Sequence, residues 1–239
     1  MFDGTILCVR RSEAARRAGE YLEKMGLHVT HTAAPDVTHL LLPVPSFPSG
    51  DEYLAHILAD LPDNVIISGG NLSSALLKSY SCVDFLQDPY YLAENAAITA
   101  QCAAKLIKDT HAPKNCRVLI LGWGRIGKCL GFCLRDLGSK VTISARKNTD
   151  LAMIKALGFD SVSIAEAGAE TQHFDIIINT VPAMILPQLQ CSKDCLVLEL
   201  ASSPGMGGVQ IINGRGLPNR LAPDASGKLI AETFLRLSI

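Results

Sequence analysis

Short apolar runs alternate along the chain with segments whose apolar residues recur at helical spacing, a pattern that predicts parallel sheets with crossover helices. In the first half, Thr5–Val9 reads as a strand and Ser12–Met25 as a helix stopped by Gly26. Val29–Thr32 and His39–Pro45 are further strands, the second ended by its prolines. Tyr53–Leu61 is a short helix, and Asn64–Ile67 is a strand running into Ser68-Gly69-Gly70-Asn71. Tyr90–Asp109 then forms one long helix, with Leu92, Ala96, Ala103, Leu106 and Ile107 near helical spacing. It ends before His111-Ala112-Pro113. The second half predicts strands Arg117–Leu121, Lys140–Ser144, Asp175–Asn179 and Leu196–Leu200, with helices Ile126–Leu137 and Asp150–Leu157. That strand set is complete by Leu200, while Pro223–Leu237 still has an apolar face of Leu229, Ile230, Phe234 and Leu237. This tail is therefore expected to cross back onto the first domain, with Pro223 setting its first turn. The expected organisation is a small domain over 1–89 completed by 223–239, a linker helix over 90–112, and a second domain over 113–222.

Composition narrows the class. The chain has 239 residues, 48% hydrophobic and 19% charged, enough for one large or two small globular domains. No apolar run approaches the ~18 residues of a membrane helix, and Met1-Phe2-Asp3-Gly4 does not resemble a secretory leader. A cytoplasmic protein with no membrane partner is expected. Lys+Arg 22 against Asp+Glu 23 lacks the basic excess of a nucleic-acid binder. The charge is nevertheless uneven: residues 1–110 carry 8 Lys/Arg against 13 Asp/Glu, and residues 111–239 carry 14 against 10. An anionic ligand therefore belongs with the second half. The eight cysteines form no CxxC pair. Cys129 and Cys133 share a helical face, Cys191 and Cys195 precede a strand, and buried reduced thiols with no metal are expected.

The strongest local signal is Gly122-Trp123-Gly124-Arg125-Ile126-Gly127, which follows a buried strand and opens a helix. That is the context a dinucleotide fingerprint requires. Gly122 permits the tight turn, Gly124 lets backbone approach a pyrophosphate, and Gly127 lets helix and strand pack closely. The helix start favours the anion. At the end of the next strand, where a site for NAD places a carboxylate on the ribose, the chain has Ser144-Ala145-Arg146-Lys147. Two cations without a carboxylate suit the 2′-phosphate of NADP. Two later polar turns, Asn179-Thr180-Val181-Pro182 and Glu199-Leu200-Ala201-Ser202-Ser203-Pro204-Gly205, leave the carboxyl ends of strands and are expected to edge the nicotinamide and substrate.

These motifs in order, with Gly216-Leu217-Pro218 and Ala222-Pro223 beyond them, resemble the A-subunit family of dipicolinate synthase. The resemblance is good from about residue 95 onward and looser before it, where Leu42-Pro43-Val44 and Ser68-Gly69 still match. It implies an α/β fold of two Rossmann-like parallel-sheet domains with a cleft between them. It also implies an NADP-dependent dehydrogenase that oxidises a dihydrodipicolinate-like heterocyclic dicarboxylate to dipicolinate during sporulation. The implied partners are further copies in a homo-oligomer and a flavoprotein-like second subunit.

The chain departs from the family at three places. Cys8-Val9-Arg10-Arg11-Ser12 stands where a glycine-rich turn is usual, Gln101 where a Glu is usual, and Ser203 where an Arg is usual. No catalytic acid or base is evident, because none of the histidines, at 28, 31, 39, 56, 111 and 173, follows a late strand of the second domain; all six read as surface or helix-end residues. Aromatising a dihydropyridine-type ring asks mainly for positioning of a dianion. Candidate positioners are Asn95, Thr99, Ser202, Ser203, Arg220 and the Ser68–Asn71 loop. The alternative is a diverged, non-catalytic NADP(H)-binding module or regulatory subunit.

Overall fold

The computed structural model describes residues 2–46 and 52–239. In chain order the elements are β1 (Thr5–Cys8), α1 (Glu13–Lys24), β2 (His28–Thr30), β3 (Val37–Leu41), α2 (Glu52–Ala59), β4 (Ile66–Gly69), β5 (Ser81–Asp84) and α3 (Pro89–Thr110). They continue with β6 (Arg117–Leu121), α4 (Arg125–Asp136), β7 (Lys140–Ala145), α5 (Asn148–Ala156), β8 (Asp160–Ser163), α6 (Ile164–Ala167) and β9 (Ile176–Asn179). The last are β10 (Leu196–Glu199), β11 (Ile212–Asn213), α7 (Leu217–Leu221) and α8 (Pro223–Ser238). Two units form, one from Met1–Ile98 with Pro218–Ile239 and the other from Thr99–Leu217.

The first unit is built on a parallel sheet in the order β2-β1-β3-β4-β5. Its β1 is buried on both faces, as strands between two helical layers are. Ile6 and Cys8 face a core shared with α1 and α8, and Leu7 and Val9 face the core under α2. Ser12 caps α1 by accepting from the amide of Ala15, and Gly26, at φ +83°, ends it in the left-handed turn that favours glycine. The expected return of the C-terminal helix is observed: α8 opens with Pro223 and lies against α1. The approach is close enough that a Cβ on Gly227 would sit 2.4 Å from Arg17 Cβ and 2.8 Å from the Ala14 carbonyl.

Four details differ from the sequence expectation. The strand expected over His39–Pro45 is Val37–Leu41, so it starts earlier and ends before its prolines. β4 continues through Ser68 and Gly69, which were expected to be loop. β5 was not anticipated, because Ser81-Cys82-Val83-Asp84 is a half-exposed edge with no apolar run. His39 is buried in β3 and not superficial: its ring takes Thr38 Oγ1 on Nδ1 at 2.9 Å and the Ser238 carbonyl on Nε2 at 3.0 Å.

The second unit has six parallel strands in the order β11-β10-β9-β6-β7-β8. Its central strands, Val118–Leu121 and Ile176–Asn179, are fully buried. The outer strands β8 and β11 escape a reading of the sequence; both are short and polar or exposed. Chain order reverses between β6 and β9, and polar turns leave the carboxyl ends of both strands there. No helix among the described residues is long and apolar enough to cross a membrane.

Candidate functional site

In an open parallel sheet, ligands bind beyond the carboxyl ends of the strands where the order reverses. At that point β6 delivers Gly122, β7 delivers Ser144, β9 delivers Asn179 and β10 delivers Glu199. Gly122 has φ +106°, and a Cβ there would lie 2.6 Å from Val181 Cγ2 and 2.7 Å from Thr180 Oγ1. Its amide donates to the Ser144 carbonyl at 3.1 Å. A Cβ on Gly127 would lie 2.2 Å from the Gly122 carbonyl oxygen, so that glycine lets α4 start directly against the turn.

Gly124 differs. It has ordinary extended geometry as the N-cap of α4, and a Cβ added to it would meet nothing within 4 Å. The protein itself therefore places no demand on glycine here; the bare backbone faces open space. No side chain caps α4, which leaves its first amides directed at that space. The uncapped helix start and the open space at Gly124 leave room for an anion such as a pyrophosphate, which the Arg125, Ile126 and Gly127 amides could hold.

Ser144 is fully buried, whereas Arg146 and Lys147 are exposed beyond the end of β7. Neither forms an ion pair with a carboxylate among the described residues. Both charges are thus available to a ligand. Trp123 is half-buried, edge-on to Phe159 with centroids 6.4 Å apart, and Lys128 Nζ stands 5.5 Å from its ring.

The two later turns are tied together by Glu199, the residue that opens the second of them. Glu199 is 5% exposed. Its carboxylate accepts from Asn179 Nδ2 at 2.8 Å, the Ala201 amide at 3.0 Å and the Gly205 amide at 2.8 Å. Asn179, itself fully buried, also closes its own turn: Nδ2 donates to the Val181 carbonyl at 2.9 Å, and Oδ1 accepts from the Val181 amide at 3.0 Å. Thr180 Oγ1 donates to the Leu121 carbonyl at 2.9 Å, joining this turn to the glycine loop. Gly205 is required here, since a Cβ would lie 2.2 Å from Asn179 Nδ2. Val181 is half-buried, Pro182 exposed and Ala201 buried. The second polar turn includes Glu199 in the sequence, but its burial and its bond to the first turn are not visible there; a buried carboxylate closing an apolar strand needs several donors.

Of the residues expected to contact substrate, Ser202 and Ser203 are exposed on the turn that Glu199 holds. Asn95 is half-buried and Thr99 buried, one helical turn apart on α3, and Arg220 is exposed on α7. Arg215 was not anticipated. Its Nε donates to the Ala201 carbonyl at 2.9 Å, which anchors a guanidinium to the same turn as Ser202 and Ser203.

Residues 113–195 match the family described as acetohydroxy acid isomeroreductase, NADPH-binding domain. The dipicolinate synthase A-subunit of Bacillus subtilis is 33% identical over 132 residues, covering 51% of this chain and 44% of that protein. The ketol-acid reductoisomerase (NADP(+)) of Caldivirga maquilingensis is 25% identical over 152 residues, covering 56% and 43%. The chain thus spans less than half the length of the curated relatives it matches. In structure, it is similar to the dipicolinate synthase A-subunit from Bacillus halodurans, with a TM-score of 0.81 at 19% identity over 98% of this chain and 97% of that one. The second unit is thus similar, over residues 113–195, to an NADPH-binding domain of oxidoreductases.

Proposed function

The chain is related in sequence and fold to the A-subunit family of dipicolinate synthase, and from that kinship we propose an NADP(H)-dependent oxidoreductase acting on a dihydrodipicolinate-like heterocyclic dicarboxylate, with dipicolinate as product. The observation that carries the reading is Gly124, a glycine the fold does not itself need, at the mouth of a cradle whose outer rim carries Arg146 and Lys147.

In this reading the glycine-loop amides hold the pyrophosphate, and Arg146, with Lys147 beside it, receives the 2′-phosphate through its planar fork. Asn179, Thr180, Val181, Pro182 and Ala201 border the nicotinamide end. The bound cofactor supplies the hydride acceptor. Glu199 keeps both turns in register, so the groups that face the ring are set before substrate arrives. Ser202 and Ser203 offer hydroxyls to a substrate carboxylate, and Arg215 supplies the positive charge at that turn, where Ser203 replaces the usual arginine. Asn95, Thr99 and Arg220 are further proposed substrate contacts. Self-association and a flavoprotein-like second subunit belong to the same proposal.

Calorimetric titration tests the cofactor half. NADP(H) is expected to bind at least about 10-fold tighter than NAD(H), the low end of one charge-assisted contact, with the gap narrowing as salt rises. Arg146→Ala should close most of it; equal affinities in the parent protein would overturn the assignment. Enzymatic production of reduced cofactor from a dihydrodipicolinate-type substrate tests the chemistry. Tight NADP(H) binding with no such turnover would favour the non-catalytic module.

A further inference from the structure

We propose that the first unit carries an anion site of its own, a pocket of about 260 Å³ at the carboxyl end of β1, which takes the phosphate or carboxylate group of a small molecule. The strand order of this sheet reverses at β1, with β2 on one side and β3 on the other. Residues 31–36 join β2 to β3 without a helix, so the α2 face beside β1 keeps an open crevice there. Apolar residues of β1 and its end, with Ala33 and Ile57, give it an apolar wall, and Arg10, Arg11, His31 and Tyr53 are its polar lining.

The two arginines are held differently. Arg11 lies with its guanidinium carbon 3.7 Å from the centroid of the Tyr53 ring. A guanidinium resting on an aromatic face keeps its N–H edges for other partners, the groups with which it grips an oxyanion by two parallel bonds. No carboxylate among the described residues forms an ion pair with Arg11. Arg10 turns the other way, over α1, where its Nη2 meets Glu23 Oε1 at 2.8 Å. It passes beside Gly19, where an added Cβ would stand 3.4 Å from both Arg10 Nε and Nη2, an ordinary contact distance. His31 Nε2 stands 3.4 Å from the same Glu23 oxygen. Among the described residues, one carboxylate thus faces two guanidiniums and an imidazole, and the surplus charge is positive.

Side chains, and not a helix start, make this site. The Ser12 hydroxyl that would otherwise reach an anion is already used to cap α1. The ligand differs accordingly from the one held by the glycine loop of the second unit. A compact anion with a short carbon body fits both the charge and the apolar wall. One or two charge-assisted contacts of ordinary strength correspond to millimolar binding.

The test is residue-resolved NMR of the full chain, titrated separately with inorganic phosphate and with succinate to distinguish the two sources of negative charge. Saturable shifts are expected at the amides of Val9, Arg10, Arg11, His31 and Ala33 for at least one of them. Arg11→Ala should weaken that response about 10-fold, Arg11→Lys by less, and Arg146→Ala not at all. Retained peak dispersion in the Arg11 variants separates lost binding from lost folding. Flat titrations at these amides with both anions, or shifts indifferent to Arg11→Ala, would overturn the site whether or not the second unit binds NADP(H).

Discussion

Replacing Glu199 by glutamine changes one oxygen to an amide and almost nothing in shape, yet the surroundings leave that amide no place. All three partners of the carboxylate are N–H donors: Asn179 Nδ2, the Ala201 amide and the Gly205 amide. The oxygen Oε1 serves the first two and Oε2 serves the third. With the glutamine carbonyl toward Asn179 and Ala201, its NH₂ opposes the Gly205 amide. Turned round, it loses the other two. Asn179 cannot rotate to accommodate the change, because its Oδ1 and Nδ2 are both engaged with Val181. At least one charge-assisted bond is therefore lost and one buried amide left unmatched, which together cost about 2–3 kcal/mol. Trp123, the single tryptophan of the chain, lies in the second unit, so its fluorescence during denaturant unfolding reports that unit directly. Glu199→Gln is expected to lower the stability of the unit by that amount, moving the midpoint without changing the slope, and Glu199→Ala, which removes all three bonds, by more. A glutamine variant within about 0.5 kcal/mol of the parent would refute the argument.

Two glycines of the loop should separate fold from ligand. Gly124→Val is expected to abolish binding of both dinucleotides while leaving the unfolding midpoint nearly unchanged, whereas Gly127→Ala, forced to within 2.2 Å of the Gly122 carbonyl oxygen, should destabilise the unit itself; comparing titration with denaturation checks the pair. Arg220→Ala should weaken pyridine-2,6-dicarboxylate binding about 10-fold with NADP(H) affinity unchanged, and equal losses for both ligands would make the residue structural. Burial holds the His39 imidazolium below the usual range, against the opposing hydrogen bond to the Ser238 carbonyl. The unfolded chain therefore takes up a proton near the ordinary value of 6.5 while the folded one resists. Stability contributed by neutral His39 is full above that value and falls as pH drops through it, and His39→Gln should flatten the dependence of the thermal midpoint between about pH 7 and 5.

Much of this architecture is legible in the sequence because the central strands are buried on both faces. Val118–Leu121 and Ile176–Asn179 cannot read as anything but apolar runs, and the glycine loop between strand and helix follows from the close contacts of Gly122 and Gly127. The edge strands β5, β8 and β11 cannot be read in this way, since a strand paired on one side and half-exposed keeps polar residues. Cofactor-loop residues stand out because their chemistry is local in sequence. Arg215 does not, because it acts through Ala201 fourteen residues away, and Glu199, though it opens the second polar turn, gives no sign in the sequence of its bond to Asn179 at twenty residues' distance. His39 misleads for a related reason. Its burial depends on a helix 199 residues away, whose Ser238 carbonyl it meets.

The helix α8 belongs to the first unit but follows the second in the chain, and this sets a schedule. Leu229, Ile230, Ala231 and Phe234 are components of the core that also contains Ile6, Cys8, Ala14 and Leu22. Until the ribosome has made them, that face of α1 has no cover, and three large apolar side chains, each worth about 1.5–3 kcal/mol when buried, are missing from it. The second unit, contiguous from Thr99 to Leu217, has all its strands earlier. The half of the molecule made first is thus the half that closes last, and a released chain truncated before Pro223 would present a finished second unit attached to an open one.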